Sequence, residues 1–372
     1  MKLTIERAAL MKSLGHVQSV VERRNTIPIL ANVLLEARDG RLGLTATDMD
    51  LTIVESVQAE IGETGATTAP AHTLYDIVRK LPDGAQIELS EEAGSGKLRL
   101  TAGRSAFQLA TLPKDDFPAP GGAELPQTFT LHGEELRHLI DRTRFAISTE
   151  ETRYYLNGIY LHAAKGEEGA VLRAVATDGH RLARFETALP EGAEEIPGVI
   201  VPRKTVNELR KLIDETEDGI EVALSEAKIR FTFGSTVLTS KLIDGTFPDY
   251  ERVIPSGNDK TMTVDCKVFA KAVDRVSTIS SEKSRAVKLV LQDGTLTLSA
   301  TSPENGSANE ELEVNYGGEQ LEIGFNSRYL LDIAERIDGS DAEFSLSDSA
   351  SPTIVRDVAD SSSLYVLMPM RV

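Results

Sequence analysis

One plan occurs three times along the chain, and this repetition constrains the fold more than any other feature. "LTATDMDLTIVES" (44–56), "AVATDGHRLARFE" (174–186) and "LSATSPENGSANEEL" (298–312) align on Thr47, Thr177 and Thr301, at spacings of 130 and 124 residues. "LYDIVRKLPDGAQIELS" (74–90), "VNELRKLIDETEDGIEVALS" (206–225) and "LLDIAERIDGSDAEFSLS" (330–347) align on Leu81, Leu212 and Ile337, at 131 and 125. Phe117-Pro118 and Phe247-Pro248 stand 130 apart, whereas the third copy runs out as "LYVLMPMRV". Three anchors at nearly one period define a folding unit of roughly 120 residues.

Each unit opens with a short strand and an amphipathic helix. In "MKLTIERAALMKSLGHVQSVV", Leu10, Met11, Leu14, Val17, Val20 and Val21 fall on one helical face. "TFTLHGEELRHLIDRTRFAI" and "MTVDCKVFAKAVDRVSTI" repeat the arrangement. Alternating segments such as "RLGLTATDMDLTIVE" and "KLVLQDGTLTLSA" read as strands, and the Asp-Gly pairs at 39–40, 178–179, 244–245 and 293–294 as hairpin turns. The pattern predicts strand, helix, hairpins, helix, hairpins. That makes an α+β protein of three repeated domains, each an antiparallel sheet with two helices on one face. Pro- and Gly-rich joints at 118–127 and 254–261 divide the 372 residues into domains 1–125, 126–256 and 257–372. Tryptophan is absent and aromatics make up 5%, so Leu, Ile, Val and Ala must fill the cores.

The formal net charge of −18 argues, if evenly spread, against binding nucleic acid. It is not evenly spread. The helix windows 6–25, 71–81, 132–148, 202–214, 265–285 and 326–338 hold 20 Lys+Arg and 14 Asp+Glu, leaving 20 basic and 44 acidic residues elsewhere. Surface helices favour Lys and Arg for propensity alone, but repeated units set side by side would gather theirs on one face. A basic face on an acidic body guides a polyanion loosely. No helix-turn-helix, zinc-finger or base-stacking pattern is present to read sequence.

Catalytic readings find less support. "TDMDLT" offers Asp48 and Asp50 as the paired carboxylates of a metal-dependent phosphotransferase, yet "TDGHRL" and "TSPENG" in the other copies lack the second carboxylate. His180 beside Asp178 has acid–base potential but no G-x-S-x-G elbow accompanies it. "GSGKL" (94–98) carries Leu98 where a phosphate-binding loop needs Ser or Thr, and Glu91 where it needs Gly. The six His residues show no metal spacing, and the single Cys266 excludes an intrachain disulfide. No catalytic site, metal or cofactor is expected. Glu6, Arg7 and Lys12 interrupt the N-terminal apolar residues, and no run approaches the roughly 18 apolar residues of a membrane span. A cytoplasmic chain with no membrane partner is expected.

The triplicated unit, "RYYLNGIYL", "ATDGHRLA", "FPDYERVIP" and the terminal "YVLMPMRV" together resemble the bacterial sliding clamps, the β-subunit family of the replicative DNA polymerase. The resemblance covers the chain in order. It implies a head-to-tail homodimeric ring of six domains, with helices lining a channel for double-stranded DNA held without sequence preference. It also implies a pocket for short linear peptides of the replicative polymerase, the clamp loader, and repair and translesion polymerases. Carried onto this sequence, that pocket comprises Leu156, Thr177, Gly179, His180, Arg181, Leu182, Pro248, Arg252, Val253, Val366, Met368, Pro369, Met370 and Arg371. Soft methionines suit a site serving many partners, and Arg181, Arg252 and Arg371 are expected as donors to the peptide. For the DNA channel the resemblance points to Arg24, Arg203 and Lys204; helix placement adds Arg137, Arg142, Lys267, Lys271 and Arg275. For the dimer joint it points to Phe107 and Leu109 on one side, and to Thr278 and Ile279 on the other, where family members often carry two aliphatics.

Overall fold

The computed structural model describes residues 1–372 except 92–93, 120, 123, 215–218 and 282–284. Parts of the 118–127 joint, the 206–225 segment and the 265–285 helix window lie outside the described residues.

The first repeat contains β1 (Lys2–Glu6), α1 (Arg7–Gln18), β2 (Asn32–Arg38), β3 (Arg41–Thr47), β4 (Leu51–Gln58), β5 (Glu60–Glu63), β6 (Gly65–Pro70), α2 (Ala71–Lys80), β7 (Gln86–Ser90), β8 (Lys97–Ala102) and β9 (Ser105–Ala110). The second has β10 (Gln127–Leu131), α3 (Gly133–Asp141), β11 (Gly158–Lys165), β12 (Ala170–Thr177), β13 (Arg181–Ala188), β14 (Val199–Pro202), α4 (Arg203–Ile213), β15 (Ile220–Leu224), β16 (Lys228–Phe233) and β17 (Thr236–Lys241). The third has β18 (Lys260–Asp265), α5 (Cys266–Ser277), β19 (Ala286–Gln292), β20 (Thr295–Ser302), β21 (Gly306–Glu313), β22 (Leu321–Asn326), α6 (Ser327–Ala334), β23 (Asp341–Leu346), β24 (Thr353–Asp357) and β25 (Ser363–Leu367).

Each repeat is therefore strand, helix and three strands, written twice, with β5 an addition to the first copy. The strand before each second helix (β6, β14, β22) escapes the sequence pattern. "GATTAP" and "VIVP" are short and buried over consecutive residues, so they show no alternation. The helices are also shorter than their windows. They nevertheless hold 13 Lys+Arg against 7 Asp+Glu, the same surplus of six that the wider windows gave.

Two Asp-Gly pairs form turns with both residues left-handed: Asp39 and Gly40 at φ 51° and 70°, Asp293 and Gly294 at φ 45° and 76°. These are the type I′ geometry that matches strand twist. The pair at 178–179 also closes a hairpin, between β12 and β13. Asp244-Gly245 does not; it follows β17, and the next strand, β18, pairs with β23 instead. The repeat anchor also needs a correction. Thr47 and Thr177 each accept a turn N–H on the side-chain oxygen, from Met49 and Gly179, but in the third copy Ser302 does this for Glu304. Ser302, not Thr301, is the equivalent, which restores the 125-residue spacing of the helix anchors.

Four antiparallel sheets result, in the orders β5-β1-β7-β8-β9, β10-β15-β16-β17-β4-β3-β2-β6, β14-β11-β12-β13-β25-β24-β23-β18 and β21-β20-β19-β22. The two eight-stranded sheets cross repeat boundaries, through β17–β4 and β13–β25. For this reason compactness divides the chain into two units rather than three. One comprises residues 1–134, 190–196 and 204–242; the other comprises 135–189, 197–203 and 243–372. In the first unit α1 packs on α2 and against β3 and β4, burying Leu10, Leu14 and Val17. In the second, α5 packs on α6, and Phe269 meets Phe344 edge-on at 5.2 Å. Aliphatic side chains dominate these interiors, as the composition requires, each contributing about 1.5–3 kcal/mol when fully buried.

Candidate functional site

In the second unit β13 and β25 pair from Arg181↔Leu367 to Phe185↔Ser363. This register carries the chain's last residues to the turn between β12 and β13, where the Met368 N–H donates to the His180 carbonyl at 2.9 Å. The turn is fixed from within. Thr177 Oγ1 accepts from Gly179 N (3.1 Å) and donates to the Arg181 carbonyl (2.7 Å). Asp178 Oδ1 accepts from His180 N (2.9 Å) and Arg181 N (3.0 Å). Gly179 lies at φ +88°, where a side chain would be strained. A short polar sequence thus becomes a rigid wall with Gly179 and His180 exposed.

Beside the wall, Leu182 and Val366 face each other across β13 and β25, and join Leu156, Val175, Ile354, Leu364, Phe247 and Tyr250 in one apolar cluster. Large apolar side chains lie open near this floor: Met368 is 42% exposed, Val253 49% and Tyr154 53%. Pro248, Arg252 and Arg371 are exposed, and Pro369 and Met370 half-buried. Tyr154 and Tyr155, whose rings meet edge-on at 5.7 Å, were missed by the sequence reading. The signal available was "RYYL" leading into Leu156; two aromatics there are costly to leave in water unless something covers them.

Arg181 requires a correction. Rather than offering donors to a ligand, its side chain is 10% exposed and spent on the protein. Nε donates to Asp178 (3.1 Å), Nη2 to the Phe145 carbonyl (2.7 Å), and Nη1 pairs with Asp332 of α6. The guanidinium also stacks on Tyr329 at 4.3 Å. It is a strut between the turn and α6. Arg252, by contrast, is exposed and among the described residues pairs only with its neighbour Asp249, at 2.7 Å.

The basic candidates divide similarly. Arg24, Arg203, Lys267, Lys271 and Arg275 are exposed and Arg137 is half-buried; Arg275 pairs with Glu310. Arg142 is 7% exposed and bound to Asp338, so it does not present a charge to a polyanion. Lys204 gives its three protons to the Val20 carbonyl (3.1 Å), Asp48 (2.5 Å) and Glu22. Burial alone would lower its proton affinity, but the hydrogen bonds it donates to Asp48 and Glu22 outweigh this and hold it above the ordinary lysine range. Lys204 is therefore an internal clasp rather than a DNA contact. Asp48 is committed to it, and Asp50 pairs with Lys241 at 2.9 Å, so the two carboxylates proposed for a phosphotransferase each answer a lysine. No group of three His, Cys, Asp or Glu is disposed to hold a metal among the described residues.

The dimer candidates lie at sheet edges. Phe107, 37% exposed, and Leu109, 8% exposed, are on β9, an outer strand of the five-stranded sheet. Thr278 and Ile279 follow α5, which packs against β21, an outer strand of the four-stranded sheet. Among the described residues no helix is long and apolar enough to cross a membrane.

This arrangement of sheets, helix pairs and a terminal strand is that of a clamp fold. Models of the DNA polymerase III beta subunit match residues 1–120 (N-terminal domain), 130–249 (central domain) and 251–371 (C-terminal domain). The beta sliding clamp of Caulobacter vibrioides strain NA1000 is 57% identical over 372 residues, covering all of both chains. The solved clamp of Bartonella birtlesii, bound to griselimycin, is 52% identical with a TM-score of 0.97 over the whole of both chains. That of Caulobacter crescentus is 57% identical with a TM-score of 0.98, covering 100% of this chain and 99% of that one. The chain belongs to the DNA polymerase III beta subunit family, the beta sliding clamps.

Proposed function

We propose that two copies of this chain close head to tail into a ring around duplex DNA and tether polymerases and other DNA-processing proteins, without chemistry of their own. Strand order carries this reading. Within the chain, β4 of the first repeat pairs with β17 of the second, and β13 of the second with β25 of the third. Each joint unites the fourth strand of one repeat's opening half with the last strand of the next repeat. The equivalent strands left without partners are β21 and β9, both sheet edges. A head-to-tail contact between copies completes a third sheet of the same design, nine-stranded because of the extra β5, and covers these two edges.

The in-chain joints also supply the register. Leu51↔Ser240, Ile53↔Leu238 and Glu55↔Thr236 correspond to Arg181↔Leu367, Ala183↔Tyr365 and Phe185↔Ser363. Continued with the same facing, Gly306, Ala308 and Glu310 oppose Leu109, Phe107 and Ser105 of a second copy. Ala308 opposite Phe107 repeats the small-on-large fit of Ala183 and Tyr365, and covers the half-open Phe107 ring. Thr278 and Ile279 flank that joint.

The proposed domains are 1–125, 126–256 and 257–372. Arg24, Arg203, Lys267, Lys271 and Arg275, with Arg137, face the DNA, and the helix surplus of positive charge gives weak attraction suited to sliding. Partner peptides dock on Met368, Met370, Val253 and the Leu182–Val366 floor, beside the Thr177–Arg181 wall.

Light scattering should give twice the 40.4 kDa chain mass, and Ala308→Arg should halve it. Loaded on nicked circular DNA, the protein should remain until the circle is linearised and then leave by the ends; retention on linear DNA would contradict a ring. Met368→Ala with Met370→Ala should weaken griselimycin binding at least about 30-fold, as for two truncated hot-spot side chains, with the dimer intact.

A further inference from the structure

We propose that Met368–Val372 is held in place by a backbone latch on β22, and that Gly324 and Val372 are positioning residues for the peptide site. This rests on the docking reading above. The Met370 N–H donates to the Gly324 carbonyl at 2.8 Å, and the two residues form an antiparallel bridge. Two residues earlier, Met368 N–H is held by His180. Pro369 between them has no N–H to offer. Both methionines that face partners are thus fixed through their backbones, one from β13 and one from β22.

Gly324 has an ordinary φ, so its backbone is open to any residue. What glycine supplies there is space. A Cβ would come within 2.6 Å of Val372 Cγ2 and 2.7 Å of the Met370 carbonyl. A side chain at 324 and a seated tail exclude each other. The equivalent positions, counted back from the helix that follows each strand, are Thr68 on β6 and Ile200 on β14. Both carry side chains, and both hold the counterpart of Met370: the Ile243 N–H donates to the Ile200 carbonyl at 3.0 Å, and Thr68 Oγ1 accepts from the Leu112 N–H at 3.1 Å. The latch is thus common to the three repeats, and the third alone has a glycine there, under Val372.

Pinning matters because an unpinned Met370 would have to be ordered by the ligand, at about a tenfold loss in affinity. The test uses the full-length dimer and griselimycin. Gly324→Ala should weaken binding about tenfold and expose the Met370 amide to hydrogen exchange while leaving dimer mass unchanged. Adding Val372→Gly removes the methyls that the new Cβ meets but leaves the Met370 carbonyl in its way, and should recover part of both. Wild-type affinity in Gly324→Ala, or a loss of affinity with the Met370 amide still fully protected, would overturn the latch. Should Gly324→Ala fail to fold, Val372→Asp alone, expected to free the same amide and weaken binding several-fold, decides the matter: full protection and affinity would refute it. Met368→Ala with Met370→Ala serves as control. If that pair binds normally, the docking reading itself fails; if it loses binding while Gly324→Ala does not, only the latch does.

Discussion

The turns at 47–52 and 177–182 share a skeleton and differ in use. In both, a threonine hydroxyl accepts the N–H two residues on, and an aspartate Oδ1 accepts the next two N–H groups. In both, the following residue is left-handed, Met49 at φ 80° and Gly179 at φ 88°. The remaining carboxylate oxygen separates them. Asp48 Oδ2 meets Lys204, tying the turn to α4, while Asp178 Oδ2 meets Arg181, which reaches on to α6. The neighbouring strands differ as well. β17 continues into Lys241, which closes an ion pair with Asp50, whereas β25 continues into two methionines. The two turns are set apart by what lies beside them, not by their own conformation.

The sharpest way to break this comparison is to remove the two cations. Arg181→Ala leaves Asp178 and Asp332 without their partner in a largely buried setting and should cost about 3–5 kcal/mol in denaturant unfolding. Lys204→Ala, at a clasp one-third open to water, should cost about 1–2 kcal/mol. Equal costs would mean that the strut to α6 adds nothing to the second turn. Exchanging the left-handed residues probes a smaller effect. Gly179→Met should destabilise by about 1–2 kcal/mol, and Met49→Gly should stabilise by about 1 kcal/mol at most, since added unfolded-state freedom offsets part of the relieved strain. Opposite signs in thermal melts would support the equivalence, and matching signs would refute it.

The smallest effect is a dependence on pH. Lys204 has its proton affinity raised in the folded state. Its contribution is therefore complete below the unfolded lysine pKa of about 10.4 and disappears as pH rises through the higher folded value. Stability measured from pH 8 to 11 should fall more steeply in the wild type than in Lys204→Arg, which stays charged. Parallel curves would show that Lys204 is not the clasp.

The repeat, the six helices and the three hairpin turns were legible because they depend on local periodicity and turn chemistry. The Leu156, Leu182 and Val366 floor follows from ordinary apolar patterning. What the sequence concealed was compensation. Arg142 and Asp338 are 196 residues apart, and Lys204 and Glu22 are 182 apart, so no local pattern distinguishes these spent cations from the open ones on α5. The same blindness made Arg181 look like a ligand donor. β6 and β14 went unseen because a strand buried over successive residues has no alternation to detect.

The two in-chain joints have a consequence for how a ring would come apart. β4 and β17, and likewise β13 and β25, are tied by one covalent chain, so a joint that frays finds its own partner again at the high effective concentration a tether imposes. In the proposed ring, β9 of one copy and β21 of the other would have no such tether within one chain, and once both joints were open their reunion would depend on protein concentration. Three sheets of one design would then differ in persistence through connectivity, and a ring built this way would open where the polypeptide is discontinuous.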